Sequence, residues 1–579
     1  MKTIVRRASI EDVGSALTHS NPVLQRIYAA RGVRSANELA RDFQYLHNFN
    51  ALRGIEQAVE LLVEALTHQQ RMLIVADFDA DGATSCATLV RGLRLLGAQH
   101  VDFIVPNRFT FGYGLTPEIV AVAASRQPDL LITVDNGISS VEGVAAARRC
   151  GMKVLITDHH LPGAVLPDAN AIVNPNQPND VFPSKNLAGV GVAFYVLLAL
   201  RARLRELNHF NAHSFSEPNL AQLLDLVALG TVADVVPLDQ CNRILVAQGM
   251  ARINAGRACA GVAALLEIAG RDPTRVIAAD LGFAVAPRLN AAGRLDDMTL
   301  GISCLLSDDL AAARSMARQL DTLNRERRVI EERMKDQAFA SLEESLLADS
   351  DTLPAGLCLF DESWHQGVIG IVASRVKEKM HRPVIAFAPA SETEIKGSAR
   401  SVPGLHIRDV LDVIAAKHPG LLKKFGGHAM AAGMTLARAD FDEFRACFAT
   451  EVAARLSPED LQGVILSDGE LAGDELNLQL AEVLRGGGPW GQGFPEPIFD
   501  GIFEVVASRV VGERHLKLNV VPRHSANGRG MLNAIAFNTA EEFAGEHLSQ
   551  VRLAYKLDVN EYRGTRSPQL LVEFIQPVS

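Results

Sequence analysis

Ile74-Val75-Ala76-Asp77-Phe78-Asp79-Ala80-Asp81-Gly82 is the stretch that decides how the chain is read. The apolar run from Met72 to Ala76 reads as a buried strand, and Gly82 supplies a turn before a helix. Three carboxylates, Asp77, Asp79 and Asp81, crowd the C-terminal end of that strand. Like charges so close repel, and burial raises the cost further. One or two divalent cations would keep all three ionised. An isolated run of this kind is equally a solvated Asp-rich turn, so the rest of the chain has to decide.

Outward from it, residues 71 to about 180 alternate strand and helix. Strands are predicted at Met72 to Ala76, Val101 to Val105, Leu130 to Val134 and Val154 to Thr157, and helices at Ala83 to Gly97, Pro117 to Arg126 and Ser139 to Cys150. This progression implies a parallel sheet covered on both faces. Such sheets bind ligands outside the carboxyl ends of their strands. The polar residues fall at that edge: the three aspartates after the first strand, Pro106-Asn107-Arg108 after the second, Asp135-Asn136-Gly137 after the third, Asp158-His159-His160 after the fourth. Singly, Asp135-Asn136-Gly137 is a good turn and Asp158 a good cap. Four successive strands ending in metal- or phosphate-competent groups define a functional site.

Bulk properties bound the rest. A length of 579 residues exceeds one core and predicts two to four domains. Hydrophobic and charged fractions of 48% and 21% are ordinary for a globular protein. The longest apolar run, around Gly191 to Leu200, is too short to span a bilayer. Met1 to Arg7 lacks the apolar core of a signal peptide. Seven cysteines without a CxxC pair argue against a disulfide framework, so a reduced, cytoplasmic protein is expected. The net charge of −10 carries no basic nucleic-acid footprint, although the local field of a groove is what counts.

Helical pieces are predicted at Pro22 to Ala30, Ala36 to Phe43 and Ile55 to Thr67. Asp234 ends the apolar stretch Ala228-Leu229-Gly230-Thr231-Val232-Ala233; buried, it needs a partner or a metal, and at a helix end it would cap the Pro237 turn. Ala286-Pro287-Arg288-Leu289-Asn290-Ala291-Ala292-Gly293-Arg294 offers two arginines, which suit phosphate or a structural role. From Ser307 to about Leu347 a helical pattern, with Met316, Leu320, Leu323, Ile330 and Met334 as its stripe, would measure about 60 Å. That length suits an interdomain strut; a coiled-coil dimer is disfavoured because Arg327 interrupts the stripe.

A second α/β unit follows, with strands at Gly356 to Phe360 and Pro383 to Ala388 and a helix at Val368 to Lys379. It carries Trp364-His365-Gln366-Gly367, Lys396-Gly397-Ser398-Ala399-Arg400 and Phe425-Gly426-Gly427-His428. These read as glycine-rich turns beside Ser, Arg and His, suited to a phosphate. Each histidine alone is equally structural. From about 460 short strands take over, led in by Gly486-Gly487-Gly488-Pro489-Trp490, and an OB-type barrel is the natural reading. Its groove would suit a single strand, with His515, Lys517, Lys556 and Arg563 as lining, although basic residues on strands are usually a solvated face.

Asp and His ligands without thiolates point to Mg²⁺ or Mn²⁺. Two such ions clamp the attacking and leaving oxygens of a displacement at phosphorus, and no Walker motif offers a nucleotide-driven alternative. Metal-assisted phosphoester hydrolysis is the reaction class reached from the residues alone.

Asp77-Phe78-Asp79-Ala80-Asp81-Gly82, Asp158-His159-His160 and Phe425-Gly426-Gly427-His428 resemble the signature of the DHH/DHHA1 phosphoesterases. With Val105 to Phe109, Gly112-Tyr113-Gly114, Thr133 to Ile138, Ala228 to Asp234 and Ala286 to Leu295, the chain looks like their single-stranded-DNA-specific 5′→3′ exonuclease branch. The resemblance covers essentially the whole sequence. It implies two α/β domains, a parallel-sheet DHH domain and a smaller DHHA1 domain, joined by a long helix and followed by an OB-like β-barrel. The expected bounds are an N-terminal region 1–50, DHH domain 51–305, connecting helix 306–350, DHHA1 domain 351–457 and OB-like nucleic-acid-binding domain 458–579.

The resemblance further implies two Mn²⁺ or Mg²⁺ ions held by Asp77, Asp79, Asp81, Asp135, His159 and Asp234, with Asp135 as the bridge. Asp81, Asp135 and His160 would be catalytic, His160 lying against the scissile phosphate. Asn107, Arg108, Arg288, Asn290, Ser398, Arg400 and His428 would contact substrate. The implied partners are single-stranded DNA with a 5′ end, single-strand binding protein and a RecQ-type helicase, for a monomer off the membrane that serves recombination and repair. A DHH phosphoesterase for short oligonucleotides, cyclic dinucleotides or pyrophosphate is the rival, but it would not need about 120 residues of terminal β structure. A non-enzymatic replication scaffold would lack the carboxylates, which are all present.

Overall fold

The structure, a computed structural model, describes residues 2–8, 21–107, 110–212, 216–348, 353–523, 530–543, 548–562 and 564–578. The chain forms two compact units, one of Ile4–Asp321 with Leu466–Ser579, the other of Met1–Thr3 with Thr322–Ile465.

In the first unit five parallel strands lie in the order Val101–Ile104, Met72–Ala76, Leu130–Val134, Lys153–Thr157, Ala171–Val173. Met72 is in register with Val101 and Leu130, and Ala76 with Val134. Every residue of Met72–Ala76 and Leu130–Val134 is buried, as parallel strands covered on both faces require. The edge strand Ala171–Val173 has three residues, too few to carry a readable pattern. Strand order reverses between Met72–Ala76 and Leu130–Val134, and the crevice at such a switch binds ligands. Asp77 and Asp135 flank it.

Local chemistry sets the helix boundaries. The helix predicted from Ala83 begins at Ala80, because Asp79 caps it with Oδ1 accepting the Gly82 N–H at 3.0 Å. Asp81 therefore sits inside the first turn. Ile55–Thr67 forms as predicted, burying Ile55, Ala58, Val59, Leu62, Ala65 and Leu66 at helical spacing. The helix expected at Ala36 to Phe43 is two 3-10 turns, Ala36–Leu39 and Phe43–Tyr45, because the chain goes extended at Ala40.

The last five strands close a barrel in the order Phe499–Val511, His515–Pro522, Leu532–Ala536, Thr565–Pro577, Gln550–Tyr562. The pair Leu532–Ala536 and Thr565–Pro577 is parallel, and the other pairs are antiparallel. Helix Pro22–Ala30 sends Val23, Leu24, Ile27 and Tyr28 into the barrel's own core beside Phe499 and Tyr555. Arg31 pairs with Asp468 at 2.7 Å, and Trp490 stacks on Tyr28 and Phe494. Of the proposed groove residues, Lys556 is held by Glu496 and Glu573, and Arg563 lies outside the described residues.

The second unit holds a sheet in the order Lys424–Gly427, Ala431–Ala437, Glu394–Arg400, Val384–Pro389, Leu357–Phe360. Only the last pair is parallel. The segment Lys396 to Arg400, predicted as a glycine-rich turn, is a strand. A Cβ on Gly397 would lie 2.4 Å from the Phe387 ring, so its glycine serves close packing and not a turn.

The helix Leu310–Ala348 runs 39 residues and joins the two units in sequence. Its buried stripe is Ala313, Ala317, Leu320, Asn324, Arg327, Glu331, Met334 and Ala338. Arg327 belongs to the stripe instead of interrupting it: its guanidinium donates to Asn324 Oδ1 at 2.9 Å and to Glu331, which also accepts from Arg375 Nε at 3.0 Å.

Candidate metal centre

The sheet itself aims the acidic groups. Asp77 N–H donates to Val134 O at 3.3 Å, Asp135 N–H to Thr157 O at 3.0 Å and Asp158 N–H to Val173 O at 3.1 Å, so each residue extends the hydrogen-bond ladder one step past its strand. Asp135 then turns into the left-handed region at φ 61°. Buried Asn136 follows and donates its amide to Val75 O and Val134 O, tying together the two strands at the switch.

Asp81 faces the N-terminus of helix Gly189–Glu206. Its Oδ2 accepts from Gly189 N–H at 2.6 Å and its Oδ1 from Val190 N–H at 3.0 Å, a favourable place for a carboxylate. Only glycine fits at 189, since a Cβ there would lie 2.7 Å from Asp135 Oδ1. Asp234 ends helix Leu224–Ala233, and the next residue, Val235, is left-handed at φ 63°. A β-branched residue in that region costs on the order of 1–3 kcal/mol.

These residues converge. Ligand-type atoms of Asp77, Asp79 and Asp135, of Asp81, His159 and Asp234, and of Asp135, His159 and His160 form three overlapping groups, each within 4.8 Å. His159 Nε2 lies 3.1 Å from Asp135 Oδ1 and 3.4 Å from Asp234 Oδ2. All three atoms are buried and none has a hydrogen-bond partner. Buried polar atoms turned on one another without a hydrogen bond are what a coordinated cation resolves.

Electrostatics agree. Burial and the Asp234 charge push Asp81 up to about 7, and burial and Asp79 push Asp234 up to about 7. Burial and Asp81 hold Asp135 well above the carboxylate range. Burial, helped by His160, lowers His159, leaving a neutral imidazole, the form that ligates. The oxygen and imidazole donor set fits Mn²⁺ or Mg²⁺.

Two side chains outside the expected ligand and substrate sets brace the site. Asp158 is a hub: it accepts from Ile138 N–H at 2.9 Å, His159 N–H at 2.7 Å and His160 Nδ1 at 2.8 Å. Although burial opposes charge on His160, the Asp158 hydrogen bond and surrounding carboxylates raise it to about 9. The Tyr113 hydroxyl lies 3.3 Å from the His160 ring nitrogens and donates to Asp135 O at 3.3 Å. The motif Asp158-His159-His160 signalled the first, and Gly112-Tyr113-Gly114, part of the family resemblance, the second.

The expected substrate residues divide. Asn290 Oδ1 accepts from Ala80 N–H at 2.8 Å and so braces the aspartate turn itself. Arg288 donates to Asp321 at 2.9 Å and to Ala284 O. Exposed Asn107 caps its own turn by accepting from Thr110 N–H at 3.3 Å. Arg108 lies outside the described residues. Ser398, Arg400 and His428 belong to the other unit and are close there: Arg400 Nη1 donates to Ser398 Oγ at 3.1 Å, Arg400 is in register with Ala431, and His428 N–H donates to Ala431 O at 2.8 Å.

Family models match three stretches: the DHH family, N-terminal domain, over residues 71–231, the DHHA1 domain over 354–454 and the RecJ OB domain over 467–573. Fold and site thus define a metal-binding phosphoesterase of the DHH type. A protein of Dickeya dadantii named single-stranded-DNA-specific exonuclease RecJ is 56% identical over 557 residues, covering 96% of each chain. The crystal structure of RecJ from Thermus thermophilus in complex with Mn²⁺ superimposes with a TM-score of 0.80 at 30% identity, covering 100% of this chain and 80% of that one. Its Mg²⁺ complex gives 0.75 at 29%, covering 100% and 78%. The chain belongs to the RecJ family.

Proposed function

We propose that this chain is a metal-dependent exonuclease specific for single-stranded DNA, acting 5′→3′ and releasing mononucleotides by phosphodiester hydrolysis. The observation that carries it is the convergence of Asp77, Asp79, Asp81, Asp135, His159 and Asp234 at the sheet's switch point, where Asp135 Oδ1, His159 Nε2 and Asp234 Oδ2 are buried without hydrogen bonds. Asp77, Asp79 and Asp135 would hold one Mn²⁺ or Mg²⁺ ion, and Asp81, His159 and Asp234 a second, with Asp135 shared. When bound, the ions supply a water ionised near neutral pH and neutralise charge on the attacking and leaving oxygens.

The chain's own groups orient the reaction. Asp158 holds the His160 ring by its Nδ1, and Nε2, within 3.3 Å of the Tyr113 hydroxyl, would meet a phosphate oxygen of the scissile bond. Tyr113 bridges His160 and the Asp135 backbone, limiting rotation of both. Asn290 fixes the Asp79–Asp81 turn through Ala80. Asn107, Arg108, Arg288, Asn290, Ser398, Arg400 and His428 make up the set assigned to the strand and its 5′ end. Arg288 would share its guanidinium between Asp321 and a phosphate.

The reading extends to a cytoplasmic monomer that works in recombination and repair with single-strand binding protein and a RecQ-type helicase. Its seven free cysteines fit a reducing compartment. No helix among the described residues is long and apolar enough to cross a membrane.

Single-stranded oligonucleotides labelled at the 5′ or 3′ end, with Mn²⁺, test the reading on the intact chain and on Asp135→Ala. Immediate release of 5′-labelled mononucleotide, abolished by the substitution, is expected. Label released first from the 3′ end would overturn the polarity. Cleavage restricted to di- and trinucleotides would move the chain to the oligonucleotide-degrading branch.

A further inference from the structure

Among the described residues no large apolar side chain is more exposed than Phe283, at 81%. It stands on a π-helical turn, Leu281–Val285, set between the short helix Ala278–Asp280 and the helix Ala286–Leu295 that carries Arg288 and Asn290. A π turn inserts one residue into a helix and recurs at functional sites. Here Leu281, Ala284, Val285 and Ala286 are all buried, and Phe283 is left in solvent.

This turn packs on the helix that ends at Asp234. A Cβ on Gly282 would lie 3.1 Å from Val232 Cγ1, two residues before Asp234, whose Oδ2 is 3.4 Å from His159 Nε2. Val235, the residue after Asp234, is 63% exposed and left-handed. Two apolar side chains in solvent, each on a backbone that a regular helix does not adopt, thus border one metal-competent carboxylate. On the other side, Arg288 Nη1 donates to Ala284 O, next to Phe283, and Asn290 braces the aspartate turn through Ala80. A phenyl ring, a guanidinium and the aspartate turn therefore follow one another along a single helical stretch of about 10 Å.

Such a surface suits a flat apolar ligand tethered to a phosphate, which describes a nucleotide of the strand. Every base has a π-face, and an aromatic side chain covers it without reading sequence. In a duplex both faces are covered by neighbouring bases, so only an unpaired, splayed base can use the ring. We propose that Phe283, flanked by Val235, is a stacking platform for an unpaired base of the strand held at the metal centre, and that it favours single strands over duplex. The proposal rests on the exonuclease reading above and adds to it a contact with the base, where the residues assigned so far meet phosphate or metal. Phe283 carries no charge and no ligand atom, so its part is to hold and select the strand and not to hydrolyse it.

Release of 5′-labelled mononucleotide with Mn²⁺, followed against oligonucleotide concentration, tests this on the full chain, on Phe283→Leu and on Phe283→Tyr. Leucine keeps apolar bulk without a π-face, and tyrosine keeps the face. Phe283→Leu is expected to raise KM about tenfold, the loss of one base–aromatic contact, with kcat unchanged. The salt dependence of KM should also stay the same, because no phosphate contact is lost. Phe283→Tyr should keep the parent KM, and both variants the parent Tm, since the ring lies outside the core. Strands with a single abasic site, moved along from the 5′ end, locate the contact: at one position the missing base raises the parent KM about tenfold and that of Phe283→Leu no further. A parent-like KM in Phe283→Leu, or an abasic penalty equal in both chains at every position, overturns the platform and leaves the ring to a protein partner. A parent chain that releases no mononucleotide overturns the exonuclease reading and the platform with it, and is told apart by the parent alone.

Discussion

His159 Nε2 and Asp135 Oδ1 lie 3.1 Å apart in a buried pocket without forming a hydrogen bond, although the two residues follow different strands of the sheet. Their alignment comes from the parallel register of Leu130–Val134 and Lys153–Thr157, which pairs Val134 with Thr157 and so brings the residues after them to one edge. A cation placed between them would remove the cost of leaving both atoms unpaired.

Metal binding is therefore expected to stabilise the protein more at high pH. Asp81 and Asp234 titrate near 7 instead of 3.8, so the metal-free fold loses stability as pH rises from about 4 through about 7 and the carboxylates ionise. Mn²⁺ supplies the missing charge only when they are ionised. Thermal melts with Mn²⁺ or with chelator at pH 5 and pH 8 should give a larger Tm gain at pH 8; an equal gain at both would contradict this.

Asp158→Asn should weaken Mn²⁺ affinity or activity by about 10–100-fold, the usual effect of removing a group that orients metal ligands. The hub would lose its charge on His160 while the shape is kept. Metal titration of exonuclease rate, with circular dichroism to check the fold, measures it.

Gly189→Ala forces a Cβ to 2.7 Å from Asp135 Oδ1. Overpacking of this kind costs about 1–3 kcal/mol, and here it also displaces the N–H that Asp81 accepts from. Urea unfolding should show the stability loss and activity should fall with it; a fully active variant would remove the close-approach argument.

Asp500 ties the barrel to the start of the chain, accepting from Arg6 Nε at 2.9 Å, Ser467 Oγ at 2.6 Å and Arg552 Nη2 at 2.8 Å. Burial opposes its charge, but these hydrogen bonds hold it down at about 2. Its contribution is present above pH 4 and is lost as pH falls from 3.8 through 2. Asp500→Asn should cost about 3 kcal/mol at neutral pH, the penalty of breaking a buried pair, and should flatten the acid limb of a stability-versus-pH curve.

Removal of residues 466–579 is expected to yield an aggregating protein and not a clean catalytic fragment. It would uncover Val23, Leu24, Ile27 and Tyr28, all at most 3% exposed in the intact chain. Each is worth about 1.5–3 kcal/mol when buried. Sedimentation and dye binding of the truncated chain would show it, and a monodisperse fragment would contradict it.

Residue pattern alone was enough to specify the parallel sheet, the edge at which its chemistry gathers, the strut helix and the terminal barrel. Uninterrupted apolar runs such as Leu130 to Val134 suit a strand covered on both faces, and parallel strands all end at the same edge of the sheet. The three aspartates and Asp158-His159-His160 were legible for that reason. Folding in three dimensions was needed to show that Asp79 starts its helix three residues early and that Lys396 to Arg400 is a strand packed on Phe387. The same holds for Arg327, which lies inside the buried stripe, and for helix Pro22–Ala30, which completes the barrel core. Long-range packing also set Asn290 against Ala80 across 210 residues of chain, and left Asp225 facing Arg252 without reaching it. Periodicity reports which face of an element is buried. It carries no information about which distant side chain meets that face, because partner choice is fixed by register and packing after the elements have formed.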